Sequence, residues 1–245
     1  MNTAIVWFRK TIRIHDNSML TWAESSQQID SIIPIYIIDE NWSLDVENSV
    51  GVNRLNFLYE SLLDLDKNLK DNFGSKLLVY TGDSSEVIKS IIDSVDENVN
   101  SLLIDYCSEP KNRKDAGDVI ENLKNTDVNI KVFPAVNTIL DIEKIIQTKN
   151  FKAPKSTKDM NKIFEENLVV SPNGYLLDGD LPVPKNIYSE PLILESIIQN
   201  EENSKFYIST EEIKEKNYQL KLETGFEKSY FLGGETEALK LSLIH

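Results

Sequence analysis

The chain has 245 residues, of which 40% are hydrophobic and 27% are charged, the composition of a globular protein with a sizeable core. No apolar run approaches the roughly 18 residues of a membrane span, and one cysteine with two histidines excludes a disulfide framework and predicts no metal site. The formal net charge of −14 predicts weak or no binding to nucleic acid, because nucleic-acid binders normally carry a basic surface. We therefore predict a monomer in the reducing cytoplasm, without a membrane partner.

The first 135 residues alternate strand-like and helix-like segments. Short apolar runs predict five strands, at residues 4–8, 31–38, 76–80, 101–106 and 128–133. Apolar residues at helical spacing, or capping residues before such a stretch, predict helices at 18–27, 51–70, 113–124 and from about 84 onward. This alternation predicts a Rossmann-like α/β fold with a doubly wound, five-stranded parallel sheet. Pro34 favours an edge position for the second strand, because proline donates no ladder hydrogen bond.

The pattern loosens after residue 134. Two short helices are predicted at 139–146 and 160–168, and residues 171–230 hold scattered Pro, Gly, Asn and Glu. We interpret this region as a long connector over the domain surface rather than as a second core. A last helix is predicted from about Gly233. The expected organisation is an α/β domain at 1–135, a connector at 136–230 and a helical segment at 231–245.

Acidic residues follow two of the predicted strands. Asp39 follows the second strand, and Asp105, Cys107 and Glu109 lie at and after the end of the fourth. Ligands of such sheets bind at the carboxyl ends of the strands, so these side chains are candidate ligand contacts. Paired carboxylates can carry out acid–base chemistry, but acids are also common in loops. Cys107 could be a reactive thiol or an inert one.

The end of the first strand concentrates basic residues. Arg9, Lys10 and Arg13 follow this strand, and they predict either an anion site or a solvated turn with a salt bridge from Arg13 to Asp16. Asp16 and Asn17 are good N-caps for the next helix. We predict that Arg9, Arg13, Asp16 and Asn17 brace the fold and an interface, and that they are not catalytic.

The residues VWFRKTIRIHDN resemble the N-terminal signature of the photolyase/cryptochrome family, of the form VWFRxDLRxxDNxxL. Further segments are similar to that family in the same order: GVNRLNFLYESLLDLDKNLK, SKLLVYTGDSSEVI, LLIDYCSEPKNRKDAGDVIENL and GGETEAL. The segment TILDIEKIIQTKNFKAPKSTKDMNKIF resembles the connector of the animal cryptochrome and six-four photolyase branch.

The resemblance implies an α/β domain that can hold an antenna chromophore, either a folate or a deazaflavin. In full-length members a connector joins this domain to a helical domain that binds FAD and damaged DNA. Those members repair ultraviolet pyrimidine lesions in a light-driven reaction, as deoxyribodipyrimidine photolyases, or signal blue light. We expect the helical domain to be truncated here after its first turns. FAD is therefore not expected to bind, and the chain is expected to be inactive alone.

The resemblance also assigns site residues. It places Asp39, Arg54 and Glu109 at the antenna pocket, and Asp105 and Cys107 at the same edge. The family's usual aspartates are replaced by a threonine at position 11 and by the cysteine at position 107, and the second replacement disfavours a deazaflavin. Two alternatives remain: a stand-alone module for a flavin-like or nucleotide-like ligand, and a small hydrolase or transferase that uses Asp39 and Glu109.

Overall fold

The structure, a computed structural model, describes residues 2–38, 51–95, 99–107, 109–133, 145–148, 151–167, 183–224 and 232–242. Its centre is a sheet of six strands: β1 (Thr3–Phe8), β2 (Ser31–Ile38), β3 (Leu78–Thr81), β4 (Val99–Asp105), β5 (Asn129–Phe133) and β6 (Tyr207–Ile208). The spatial order is β5-β4-β1-β2-β3-β6. The five predicted strands all pair in parallel, which confirms the Rossmann-like prediction.

The strand count is one higher than predicted. Strand β6 pairs antiparallel with β3 and has only two residues. A pair of residues carries no periodic pattern, so the sequence gives no sign of this strand. It comes from the segment that we predicted to be a connector.

The edge position that Pro34 favoured for the second strand is wrong, because β2 lies between β1 and β3. The backbone N–H of Ile32 donates to the carbonyl of Tyr188 on the side away from β1. Backbone groups alternate sides along a strand, so the nitrogen of Pro34 also faces that side. Pairing with β3 begins only at Ile35, and the missing donor therefore removes no ladder hydrogen bond.

Nine helices lie in the described part of the chain. Those of the first half are α1 (Ser18–Ser25), α2 (Val52–Phe73), α3 (Ser84–Ser94) and α4 (Pro110–Leu123). Those of the second half are α5 (Thr157–Asn167), α6 (Pro191–Gln199), α7 (Glu201–Ser204), α8 (Thr210–Thr224) and α9 (Glu235–Ser242). The helix predicted at 139–146 lies mostly outside the described residues. None of the helices that can be described is long and apolar enough to cross a bilayer.

The core has two layers, one on each face of the sheet. Alternate side chains of β1 point to opposite faces: Ala4, Val6 and Phe8 pack with α1 and α2, whereas Ile5 and Trp7 pack with α3 and α4. All six residues of β1 are buried, as expected for a central strand of a parallel sheet. The carboxyl ends of the parallel strands lie at one edge of the sheet, beside the first residues of the helices. Ligands of such sheets bind at this edge.

Side chains from beyond residue 183 complete both layers. Ile187, Ile213 and Leu220 join the layer of α1 and α2, and Leu194 and Ile197 join the layer of α3 and α4. The segment predicted to cross the surface as a connector thus supplies buried apolar area to the α/β domain.

Candidate functional site

A cavity of about 410 Å³ opens at the carboxyl ends of β1 and β2, beside the first turns of α2. Its volume lies within the range of small-molecule sites. The lining residues are Arg9, Lys10, Ile12, Tyr36, Asn53, Arg54, Phe57, Leu58 and Ser61. The sheet topology predicts a ligand site at this edge.

Arg9 is a structural part of the cavity wall. Its guanidinium donates to the backbone carbonyls of Asp105 and Asn112 and lies 4.6 Å from the ring centroid of Trp7. Only 9% of the residue is exposed. These contacts fix the guanidinium in place, and the bracing role of Arg9 stays a prediction.

Asp105 holds the turn that follows β1. Its carboxylate is fully buried and accepts the backbone N–H groups of Lys10 at 2.9 Å and Thr11 at 2.8 Å. A buried carboxylate that accepts two N–H groups is well satisfied. Asp105 therefore fixes the backbone of Lys10 and Thr11 beside the cavity, but its own side chain is not among the lining residues.

Cys107 also lies behind the cavity wall. The residue is 4% exposed, and its Sγ is 3.9 Å from Oδ1 of Asp105. Burial, together with the negative charge of Asp105, raises the pKa of the thiol to about 12. The thiol is consequently protonated at neutral pH, which opposes a role as a nucleophile.

Glu109 is not among the lining residues, but it pairs with Lys10, which is: Nζ of Lys10 lies 2.9 Å from Oε2 of Glu109. The hydrogen bond from Lys10 lowers the pKa of the Glu109 carboxyl, and the charge of Arg54 adds to this effect. Lys10, Arg54 and Glu109 thus form one electrostatic group. Asp39 lies outside the described residues.

The cavity suits a ligand with a flat apolar body and a negative charge. Lys10 and Arg54 supply positive charge, and Tyr36 and Phe57 supply aromatic surface. Phe57 is 51% exposed, so its ring is accessible to a ligand. Within the described ranges, no group of three His, Cys, Asp or Glu side chains is arranged to hold a metal ion.

Sequence reasoning missed part of the lining. Asn53, Phe57 and Ser61 recur every four residues along α2 and therefore share one helix face. That spacing is visible in the sequence, and placing the start of α2 at the ligand edge would have indicated this face. Tyr36 had no comparable signal, because it lies inside a continuously apolar strand.

The turn after β1 contains the predicted salt bridge. Nη2 of Arg13 is 3.0 Å from Oδ2 of Asp16, and the side chain of Asn17 accepts two N–H groups at the start of α1. Asp16 has a φ of 46°, a left-handed conformation that aspartate tolerates better than most residues. The carboxylate of Glu235 accepts the N–H groups of Ile14 at 3.0 Å and His15 at 2.9 Å. The residues near the end of the chain therefore bind this turn.

The two glycines before Glu235 pack directly on α2. The N–H of Gly233 donates to Glu60 at 2.6 Å, and a Cβ at Gly233 would lie 2.3 Å from the carbonyl oxygen of Phe57. Gly234 has a φ of +111°, and a Cβ there would lie 2.6 Å from Cβ of Asp64. Only glycine fits at these two positions.

Comparisons with known proteins identify the family. The family model described as DNA photolyase matches residues 4–176. The chain is 31% identical over 171 residues to the (6-4)DNA photolyase of Arabidopsis thaliana, which covers 66% of this chain and 30% of that protein. It is 36% identical over 156 residues to Cryptochrome-1 of Spalax judaei, which covers 63% of this chain and 25% of that protein.

Solved structures share the fold. An archaeal photolyase from Sulfolobus tokodaii aligns with a TM-score of 0.64 at 19% identity, over 98% of this chain and 45% of that chain. A cryptochrome from Synechocystis aligns with a TM-score of 0.60 at 21% identity, over 77% of this chain and 37% of that chain. The chain spans about a third or less of the length of the two relatives compared by sequence. Because the family model matches well over half of its residues, this chain belongs to the DNA photolyase family.

Proposed function

We propose that this chain is an antenna-type α/β domain that binds an anionic, planar chromophore in the cavity at the ends of β1 and β2. The observation that carries the proposal is the pairing of Lys10 and Arg54 with the aromatic rings of Tyr36 and Phe57 around a volume of about 410 Å³. Cationic groups bind the charge of such a ligand, and aromatic rings pack on its face.

Three chromophore classes fit this description. A folate and a deazaflavin are the antenna classes that the sequence resemblance implies. A flavin is the third, because the Sulfolobus tokodaii photolyase is described as holding two FAD molecules, with the implication of a novel light-harvesting cofactor. All three combine a fused aromatic ring system with anionic groups. The alternative occupant is a nucleotide-like ligand bound by a stand-alone module.

We further propose that the whole protein repairs ultraviolet lesions in DNA with FAD and light, or signals blue light. The support is similarity to proteins named (6-4)DNA photolyase and Cryptochrome-1. The described residues bring together a binding cavity but no catalytic set, so we expect residues 1–245 to be inactive alone. In this proposal residues 1–135 bind the antenna, 136–230 connect, and 231–245 begin the helical domain.

Titration of the purified protein with chromophores tests the cavity. We expect fluorescence and absorption titrations with FMN, methenyltetrahydrofolate and 8-hydroxy-5-deazaflavin to give micromolar or tighter binding for at least one of them. The Arg54→Gln variant should bind that chromophore about tenfold or more weakly, because it loses a charge-assisted contact. Arg113→Gln is the matched control, since Arg113 is an exposed residue of α4 outside the cavity.

Two results would contradict the proposal. One is that no chromophore binds at concentrations up to about 100 μM, which corresponds to a binding free energy weaker than about −5.5 kcal/mol. The other is an equal loss of affinity in Arg54→Gln and Arg113→Gln. Preferential binding of AMP or ADP would favour the stand-alone nucleotide module instead.

A further inference from the structure

The turn after β1 forms one wall of the cavity. It spans residues 9–17, between β1 and α1, and it supplies the lining residues Arg9, Lys10 and Ile12. The backbone of these residues forms no strand or helix, so its N–H groups need partners from elsewhere. Buried side-chain acceptors therefore set the conformation of this wall.

Two buried carboxylates hold the turn at two places. Asp105 holds its first half, as described above. Glu235, the first residue of α9, holds its second half: Oε2 accepts the N–H of Ile14 at 3.0 Å, and Oε1 accepts that of His15 at 2.9 Å. Nδ1 of His15 lies 2.8 Å from the same Oε1. Glu235 is only 8% exposed, and a carboxylate buried to this extent needs such donors.

The segment that carries Glu235 is itself fixed to α2. The N–H of Gly233 donates to Oε2 of Glu60 at 2.6 Å, and a Cβ at Gly233 would lie 2.9 Å from Oγ of Ser61. Ser61 and earlier residues of α2 supply another wall of the cavity. Residues 233–235 therefore connect the wall formed by α2 with the wall formed by the turn after β1.

We infer, on the basis of the proposed function, that Glu235 is a positioning residue of the chromophore cavity. Its carboxylate fixes the turn after β1 relative to α2. It thereby sets the placement of Lys10 and Ile12 against Arg54 and Phe57, although Glu235 is not itself among the lining residues. The affinity of the cavity for its chromophore therefore depends on a residue near the end of the chain.

The placement of the two walls matters because charge-assisted hydrogen bonds have a narrow range of distances, about 2.7–2.9 Å. Loss of the Glu235 contacts would leave Asp105 in place, so the turn would stay attached at Lys10 and become free to move at Ile12. We therefore expect weaker chromophore binding rather than none. In the proposed organisation residues 231–245 begin the helical domain, so the cavity reaches its full affinity only when the first helix of that domain is docked.

The Glu235→Gln variant of the full chain tests the positioning role. The glutamine amide keeps one acceptor oxygen but turns an NH₂ donor toward the second backbone N–H, so one of the two contacts is lost. The chromophore that the unmodified chain binds most tightly should bind this variant about fivefold or more weakly in the same titration. Amide hydrogen exchange should rise at least about tenfold at Ile14 and His15, and at least about threefold at Lys10 and Thr11 in the first half of the turn.

Two controls separate positioning from charge and from stability. Glu237→Gln removes the same charge from the same helix, where Glu237 pairs with Lys240, and it should retain the affinity and the exchange rates. Ile197→Ala is expected to lower the stability of the protein from the layer on the other face of the sheet, and it should retain the affinity at temperatures where it is folded. A merely structural role of Glu235 would make Glu235→Gln and Ile197→Ala act alike.

Equal chromophore affinity of Glu235→Gln and the unmodified chain would overturn the positioning role, and so would unchanged exchange at Lys10 and Thr11. Failure of the proposed function gives a different result, because then no chromophore binds the unmodified chain. Raised exchange at Lys10 and Thr11 in Glu235→Gln would in that case still support the positioning role, and unchanged exchange would overturn it.

Discussion

Burial sets the chemistry of single residues at the ligand edge. Asp105 and Cys107 are close in sequence to Glu109, yet only the side chain of Glu109 forms an ion pair with a lining residue of the cavity, Lys10. Asp105 is committed to two backbone N–H groups, and the thiol of Cys107 is buried beside it. A position at the end of a strand therefore does not by itself make a side chain a ligand contact.

The raised pKa of Cys107 predicts that its thiol reacts slowly in the folded protein at mildly alkaline pH. Its pKa is about 12 in the folded protein and about 8.5 in an unfolded chain. The thiol should therefore stay protonated between pH 8 and 9, and iodoacetamide should modify the native protein at least about 100-fold more slowly than the urea-unfolded protein. Mass spectrometry of the single cysteine measures both rates.

The raised pKa of the Cys107 thiol also makes the free energy of unfolding depend on pH. Because the pKa of the thiol is higher in the folded protein, the unfolded chain loses its proton first as the pH rises. The stability that the protonated thiol contributes to the folded state is therefore fully present below about pH 8.5 and is lost as the pH rises toward 12. Cys107→Ser removes the thiol and should weaken this alkaline loss. Equal alkylation of native and unfolded protein at pH 8 would show that the thiol is accessible and ionised.

Helix α2 forms part of the cavity wall and also holds the segment that precedes α9. One face carries Asn53, Arg54 and Phe57 into the cavity wall. Another face holds the segment before α9, through Glu60 to Gly233 and through Asp64 to the N–H of Thr236 at 2.9 Å. The position of α9 on the domain thus depends on carboxylates of α2 and on the two glycines.

A pair of glycine substitutions tests this packing. Gly233→Ala should destabilise the docked segment, because the new Cβ would meet the carbonyl oxygen of Phe57 at 2.3 Å. Gly117→Ala should stabilise the protein by about 0.5–1 kcal/mol, since Gly117 lies within α4 and its Cβ would meet nothing within 4 Å. Hydrogen exchange of residues 233–242 and urea unfolding measure the two effects. Unchanged exchange in Gly233→Ala would contradict the contact.

The whole molecule is held together by contacts between distant parts of the chain. Strand β6 extends the sheet beyond β3, and the hydroxyl oxygens of Ser75 and Ser189 lie 2.6 Å apart in the interior. Helix α6 adds Leu194 and Ile197 to the layer under α3 and α4. The residues after 183 and the first 135 residues therefore share a core.

Ile197→Ala tests this shared core. Ile197 is fully buried, so its truncation should lower the free energy of unfolding by about 2–4 kcal/mol. Leu192→Ala in the same helix should change it by less than about 0.5 kcal/mol, because Leu192 is 72% exposed. Urea denaturation followed by circular dichroism measures both. A small effect of Ile197→Ala would mean that the later segment contributes little to the stability of the domain.

The sequence by itself determined the five parallel strands, most helix positions and the sheet edge at which the cavity lies, and it offered the salt bridge from Arg13 to Asp16 as one of two alternatives. These features follow from short-range patterns of apolar, capping and charged residues. Only the tertiary structure decided that Cys107 is buried, that α2 completes the cavity, that β6 joins the sheet and that Gly233 docks on α2. Each of these depends on contacts between residues far apart in the chain, and the local sequence pattern carries no record of such contacts.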